Sequence, residues 1–126
     1  MAAIPYLKYE NVGTALDWLA KSFGFTEQQR YAGPDGAVFH AEMTTPSGDL
    51  IYLAGPGEGY RSPRRLGEVT VMISLEVDDV DAQHALATAA GATVQMPPTD
   101  TPQGMRVCKV EDLEGHEWFF TKKITD

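Results

Sequence analysis

A chain of 126 residues, 43% of them hydrophobic, has the material for one compact domain with a real core. Its formal charge of −8 argues against nucleic acid as a partner, because phosphate binding needs a basic surface, and here only Arg61, Arg64 and Arg65 cluster. Cys108 stands alone, so neither an intramolecular disulfide nor a cysteine-rich zinc cluster can form; with no signal-like start and no apolar run near 18 residues, a soluble cytoplasmic protein without membrane contact is expected.

Ala3 to Tyr9 reads as a first strand, followed by Asn11 as N-cap of a helix from Val12 to about Phe23. Val12, Leu16, Leu19 and Phe23 fall on one face of that helix, and Gly24 is its natural stop. Three strands then follow: Phe25 to Tyr31, Ala37 to Thr44 after the turn Gly33-Pro34-Asp35-Gly36, and Asp49 to Ala54 after Pro46-Ser47-Gly48. Residues 55–67, rich in glycine and proline, read as a linker. Beyond it come a strand from Val69 to Val77, a helix capped by Asp79 or Asp78 and ending at Gly91, and a short strand from Ala92 to Gln95. Pro97-Pro98 to Gly104 reads as a loop, and strands from Met105 to Val110 and Glu117 to Lys122 complete the chain.

The same order, βαβββ, therefore occurs twice, in residues 1–54 and 68–126 of a single domain. The copies are offset by 80 − 12 = 68 at the helix starts, Val12 against Val80, and by 115 − 48 = 67 at the last hairpin, Gly48 against Gly115. An internal duplication of this size predicts an α+β protein with a site built from paired positions of two similar modules.

Val77-Asp78-Asp79-Val80-Asp81-Ala82 opens the second helix, and Gly104, Arg106, Asp112 and Glu114-Gly115-His116 precede the final strand. With the repeat and the overall length, these residues resemble the vicinal oxygen chelate superfamily of glyoxalases, bleomycin resistance proteins and extradiol dioxygenases. The likeness covers nearly the whole chain, with one departure: the family's frequent Asp-Pro before the turn glycine is Asp112-Leu113 here. The resemblance implies two modules whose strands curl into a curved mixed sheet or half-barrel groove, and a homodimer. It also implies metal ligands on the first and last strands of each module. Carried over by counting, those positions are Ile4, Tyr52, Met72 and Phe119, none of them a ligand for a divalent metal, so no cofactor is expected.

Strand alternation offers a second route to the site. Phe39, Ala41 and Met43 should face the helices, as should Ile73, Leu75, Val77, Trp118 and Phe120. The opposite faces then line a groove: Tyr6, Lys8, His40, Glu42 and Tyr52 from the first module, and Met72, Ser74, Val107, Lys109 and Phe119 from the second, with Glu76 and Glu117 near strand ends. Such walls suit a small, aromatic or cationic ligand; they also suit side chains that merely fill the groove or meet a second copy.

His40 and Glu42 form a same-face pair that could act as a general base with its orienting acid. With His116 it could instead bind a metal outside the family's usual positions. The plainer reading has His40 and Glu42 as a hydrogen-bonded surface pair, His116 as the closure of its turn, His84 as solvent-facing, Arg106 as holding either the Asp112 turn or a ligand anion, and Cys108 as inert against the helices. The first expectation is binding or sequestration of an aromatic or antibiotic-like molecule; the alternative is a lyase, isomerase or dioxygenase using His40 and Glu42.

Overall fold

The computed structural model describes residues 1–124. Its first half runs β1 (Tyr6–Lys8), α1 (Val12–Phe23), β2 (Thr26–Ala32), β3 (Val38–Thr44) and β4 (Leu50–Ala54). A short helix α2 (Pro63–Leu66) follows, then β5 (Met72–Glu76), α3 (Val80–Ala89), β6 (Thr93–Asp100), β7 (Met105–Glu111) and β8 (Glu117–Lys123). The strands make two open four-stranded sheets of equivalent order, β1-β4-β3-β2 and β5-β8-β7-β6. In each, the strand before the helix runs parallel to the last strand and the remaining pairs are antiparallel.

The repeat is visible in the caps and turns. Asn11 and Asp79, 68 positions apart, each accept a hydrogen bond from the backbone three residues on, at Thr14 N and Ala82 N, both at 3.0 Å. Gly24 then ends α1 in the left-handed conformation that glycine adopts without a Cβ penalty.

One core serves both modules. Phe23, fully buried at the end of α1, meets Trp18, Phe25, Trp118 and Phe120 edge-on, with ring centroids 5.0 to 5.6 Å apart. Burying each such ring stabilises the fold by roughly 1.5–3 kcal/mol, so this cluster holds α1 against β8 of the other module. On the helix side, Gln83 of α3 donates to the Phe23 carbonyl at 2.6 Å and satisfies a group that α1 itself leaves open.

A buried carboxylate makes the second tie. Asp112, 1% exposed, accepts from Tyr9 Oη at 2.6 Å and Trp118 Nε1 at 3.1 Å through Oδ2, and from the Glu114 and His116 amides through Oδ1. Burial, followed by the Asp112 charge, pushes the Tyr9 phenol far above its ordinary value, so it remains a donor. Beside it, Glu114 accepts from the Glu10 and Asn11 amides, and its main chain meets α2 through Arg64 N. The approach is close: a Cβ on Gly115 would lie 2.7 Å from Arg64 N.

Three expectations are corrected. Residues 97–100 belong to β6 instead of a loop, because β6 is an edge strand, where the missing N–H groups of Pro97 and Pro98 cost no ladder bond, and shifts of register absorb them. The linker contains α2, in which Pro63 at the first turn and Gly67 at the C-cap (φ 84°) supply start and stop. Phe39 is 57% exposed, not core, since the helix layer covers β3 only from Ala41 onward.

The Asp112 tie generates a stability prediction. Asp112→Ala should cost about 3 kcal/mol or more in urea denaturation, because it strands the buried Tyr9 hydroxyl and Trp118 N–H at roughly 1–3 kcal/mol each; a loss below about 1 kcal/mol would remove this carboxylate from the account.

The linker generates a second. Hydrogen bonds from Ser62, then the neighbouring Arg65, lower the Glu10 carboxyl from 4.5 to about 2. A depressed carboxylate stabilises the fold above its unfolded value and loses that contribution as pH falls through the folded one. Wild type minus Glu10→Gln stability should therefore be constant above about 4.5 and shrink between 4.5 and 2; parallel acid profiles would disprove it.

Candidate functional site

The face of the first sheet opposite the core carries a joined set of side chains. Strand register places Tyr6 of β1 opposite Tyr52 of β4, Tyr52 opposite Glu42 of β3, and His40 opposite Tyr31 of β2. Ala54 is the β4 partner of His40, and over this small residue Tyr6 reaches diagonally to His40. Tyr6 Oη lies 2.6 Å from His40 Nδ1, and His40 Nε2 lies 2.9 Å from Glu42 Oε2. The His40 ring meets Tyr6 and Tyr52 edge-on at 5.4 and 5.3 Å, and Tyr31 at 5.7 Å. Aromatic quadrupoles favour these edge contacts, which hold the wall in one arrangement.

The equivalent face of the second sheet is different in chemistry. Lys109 Nζ lies 3.2 Å from Glu117 Oε1 and 5.4 Å from the Phe119 ring centroid, while Gln95 Nε2 donates to Glu117 Oε2 at 2.9 Å. The Gln95 hydrogen bond, then Lys109, holds the Glu117 carboxyl below the usual range. Met72 pairs across the strands with Glu117, and Ser74 with Phe119.

The predicted residues are thus divided between two surface clusters. Lys8 leaves the first: its Nζ sits 5.8 Å from the Tyr60 ring centroid, and Tyr60 Oη and His116 Nε2 both donate to its carbonyl, at 2.9 and 2.7 Å. His116 consequently stays in its turn, away from His40 and Glu42. Among the described residues no group of three or more His, Cys, Asp or Glu comes together to hold a metal. Of the positions carried over from the family's ligands, the register sets Tyr6, not Ile4, opposite Tyr52, and Glu117, not Phe119, opposite Met72.

Two clefts run between the modules. The larger, about 970 Å³, lies among Ile4, Leu50, Ser74, Glu76 and Lys122; the smaller, about 460 Å³, among Tyr6, Lys8, Tyr60, Leu66, Val71 and His116. Size alone would favour the first, but the organised polar chemistry sits on the open sheet face with His40. Val107 lies beside Lys109 on β7 and lines neither cleft.

Tyr31, Gln95 and Tyr60 were not anticipated. β2 is exposed along its whole length and has no alternation to read, so only the pairing with β3 places Tyr31 beside His40. Arg106 holds neither the Asp112 turn nor an open anion site; it pairs with Asp81 at 2.8 Å and Asp100 at 2.7 Å, joining α3 to the end of β6. His84 is half-buried on α3, near the Thr88 hydroxyl.

Comparisons with known proteins agree with this architecture. A family model for the Glyoxalase/Bleomycin resistance protein/Dioxygenase superfamily matches residues 7–120. An uncharacterised protein of Mycobacterium bovis is 35% identical over 99% of this chain and 85% of its own length. The crystal structure of TioX from Micromonospora sp. ML1 is 33% identical, with a TM-score of 0.80 over 98% of each chain. Glyoxalase I from Zea mays shares the fold alone, at 12% identity and a TM-score of 0.76 over 97% of this chain and 44% of its own.

Cys108 supplies a check on which face is which. It is fully buried, and burial pushes its thiol up to about 11. Alkylation at about pH 8 should be slow in the native state and should accelerate in step with unfolding; rapid native labelling would put Cys108 on the open face. Duplicated modules, two open four-stranded sheets and the family match together make this chain a member of the Glyoxalase/Bleomycin resistance protein/Dioxygenase superfamily.

Proposed function

We propose that the protein binds or sequesters an aromatic, antibiotic-like small molecule on the open face of its first sheet, without the metal the superfamily commonly uses. The observation that carries this reading is the wall of Tyr6, Tyr31, His40 and Tyr52, in which edge contacts among Tyr6, His40 and Tyr52 and a tilted contact from Tyr31 pre-arrange an aromatic surface. Glu42 on this face, with Glu76 and Glu117 on the other sheet, favours a ligand carrying positive charge.

A homodimer belongs to the same proposal. Tyr6, Met72 and Val71 are each more than half exposed, at 56%, 53% and 59%, and a second copy covering them would turn two open faces into a groove. Sedimentation should then give a dimer. The second reading, a metal-free lyase or isomerase, draws on the 2.9 Å His40–Glu42 hydrogen bond, the arrangement of a base with its orienting acid.

Calorimetric titration with a panel of planar aromatic antibiotics tests the first reading, since Trp118 is buried and Trp18 packs on the core, leaving fluorescence a poor reporter. Binding is expected, weakened roughly three- to tenfold by Tyr52→Ala, the loss of one aromatic contact. Stoichiometric transition metal in protein purified without chelator, absent from His40→Ala, would overturn sequestration in favour of metal chemistry.

A further inference from the structure

With the His40 imidazole neutral, the polarity of the Tyr6–His40–Glu42 chain follows by elimination. A carboxylate only accepts hydrogen bonds, so at Glu42 the bond must come from His40 as Nε2–H. A neutral imidazole with its proton on Nε2 has only a lone pair on Nδ1, and the 2.6 Å contact there must be donated by Tyr6. Tyr6 has one proton, and it is committed inward. Both His40 nitrogens and Glu42 Oε2 are engaged, and these two side chains are 20% and 27% exposed, whereas Tyr6 is 56% exposed.

We infer that Tyr6 Oη, not His40, is the polar atom that meets a ligand on this face, and that it meets it as a hydrogen-bond acceptor only, so that the site selects aromatic molecules bearing an O–H or N–H donor over their capped analogues. The selection is negative as much as positive: a ligand carbonyl or ether brought to the same place faces an oxygen lone pair, and its own acceptor is left without a partner. Glu42 sets the polarity from two residues away on the same strand, as a positioning residue; it does not touch the ligand. This inference rests on the reading of the first-sheet face as a ligand site.

The test compares 2-naphthol with 2-methoxynaphthalene, the same rings with and without the donor, at about pH 8. Binding is followed by amide and ring chemical shifts in NMR titrations, and long-range nitrogen-15 spectra give the tautomer of His40. Wild type should show Nε2–H at His40 and bind 2-naphthol roughly two- to tenfold more tightly, the worth of one neutral hydrogen bond. Tyr6→Phe should keep the ring and erase the preference. Glu42→Gln should also erase it, because an amide can donate to Nε2, move the imidazole proton to Nδ1 and free the Tyr6 proton to point outward.

An Nδ1–H tautomer in wild type overturns the inference without reference to any ligand. Equal affinities for the two naphthalenes in wild type, or a preference that survives in Tyr6→Phe, overturn it while leaving the ligand face in place. Absence of any shift on the first-sheet face with either probe removes the ligand face, and the inference with it.

Discussion

The burial of one carboxylate, Asp112, organises the chain more than any other polar contact. It lies in the turn before β8, yet its partners are a tyrosine that follows β1 and a tryptophan within β8, so it joins the first module to the last strand of the second. A buried negative charge is tolerable only where donors converge on it, and four do so here. Around it, Glu114 takes the amides entering α1, and α2 packs its backbone against Gly115. The linker is consequently held by the turn that follows it by some fifty residues in sequence, and Trp118, bonded to Asp112, links that turn to the Phe23 cluster.

The duplicated counterpart of this turn shows how the two copies have diverged. Thr45 stands 112 − 45 = 67 positions before Asp112, and both donate a backbone bond to the residue four further on, Asp49 or His116. Each also accepts the amide of that residue with its side-chain oxygen, at 3.1 Å. A threonine has one such oxygen and stops there. An aspartate has a second, and that extra oxygen is the one that reaches Tyr9 and Trp118.

The elements that were legible in the sequence are those with a local physical cause. Caps at Asn11 and Asp79, the stop at Gly24 and the alternation of Trp118 and Phe120 against Phe119 depend on near neighbours in the chain, and the duplication supplied each reading twice. The hydrogen-bonded His40–Glu42 pair was legible for the same reason. What escaped depends on distant partners. Pro97-Pro98 punctuates a loop in most settings, and only its place at a sheet edge makes it strand. Tyr6 and His40 are separated by a whole strand, and their contact follows from register and from the small Ala54 between them. Lys8 has the right alternation but a better partner in Tyr60, a linker residue with no periodicity to announce it.

The outer strands β2 and β6 also constrain how this molecule can be met. Both carry shifted registers, β2 bears the Arg30–Glu27 ion pair, and β6 contains two residues without an N–H. An edge so interrupted is a poor template for another strand, so pairing along these two margins is disfavoured. The open faces of the two sheets, by contrast, offer contact through side chains, and contact of that kind is selective.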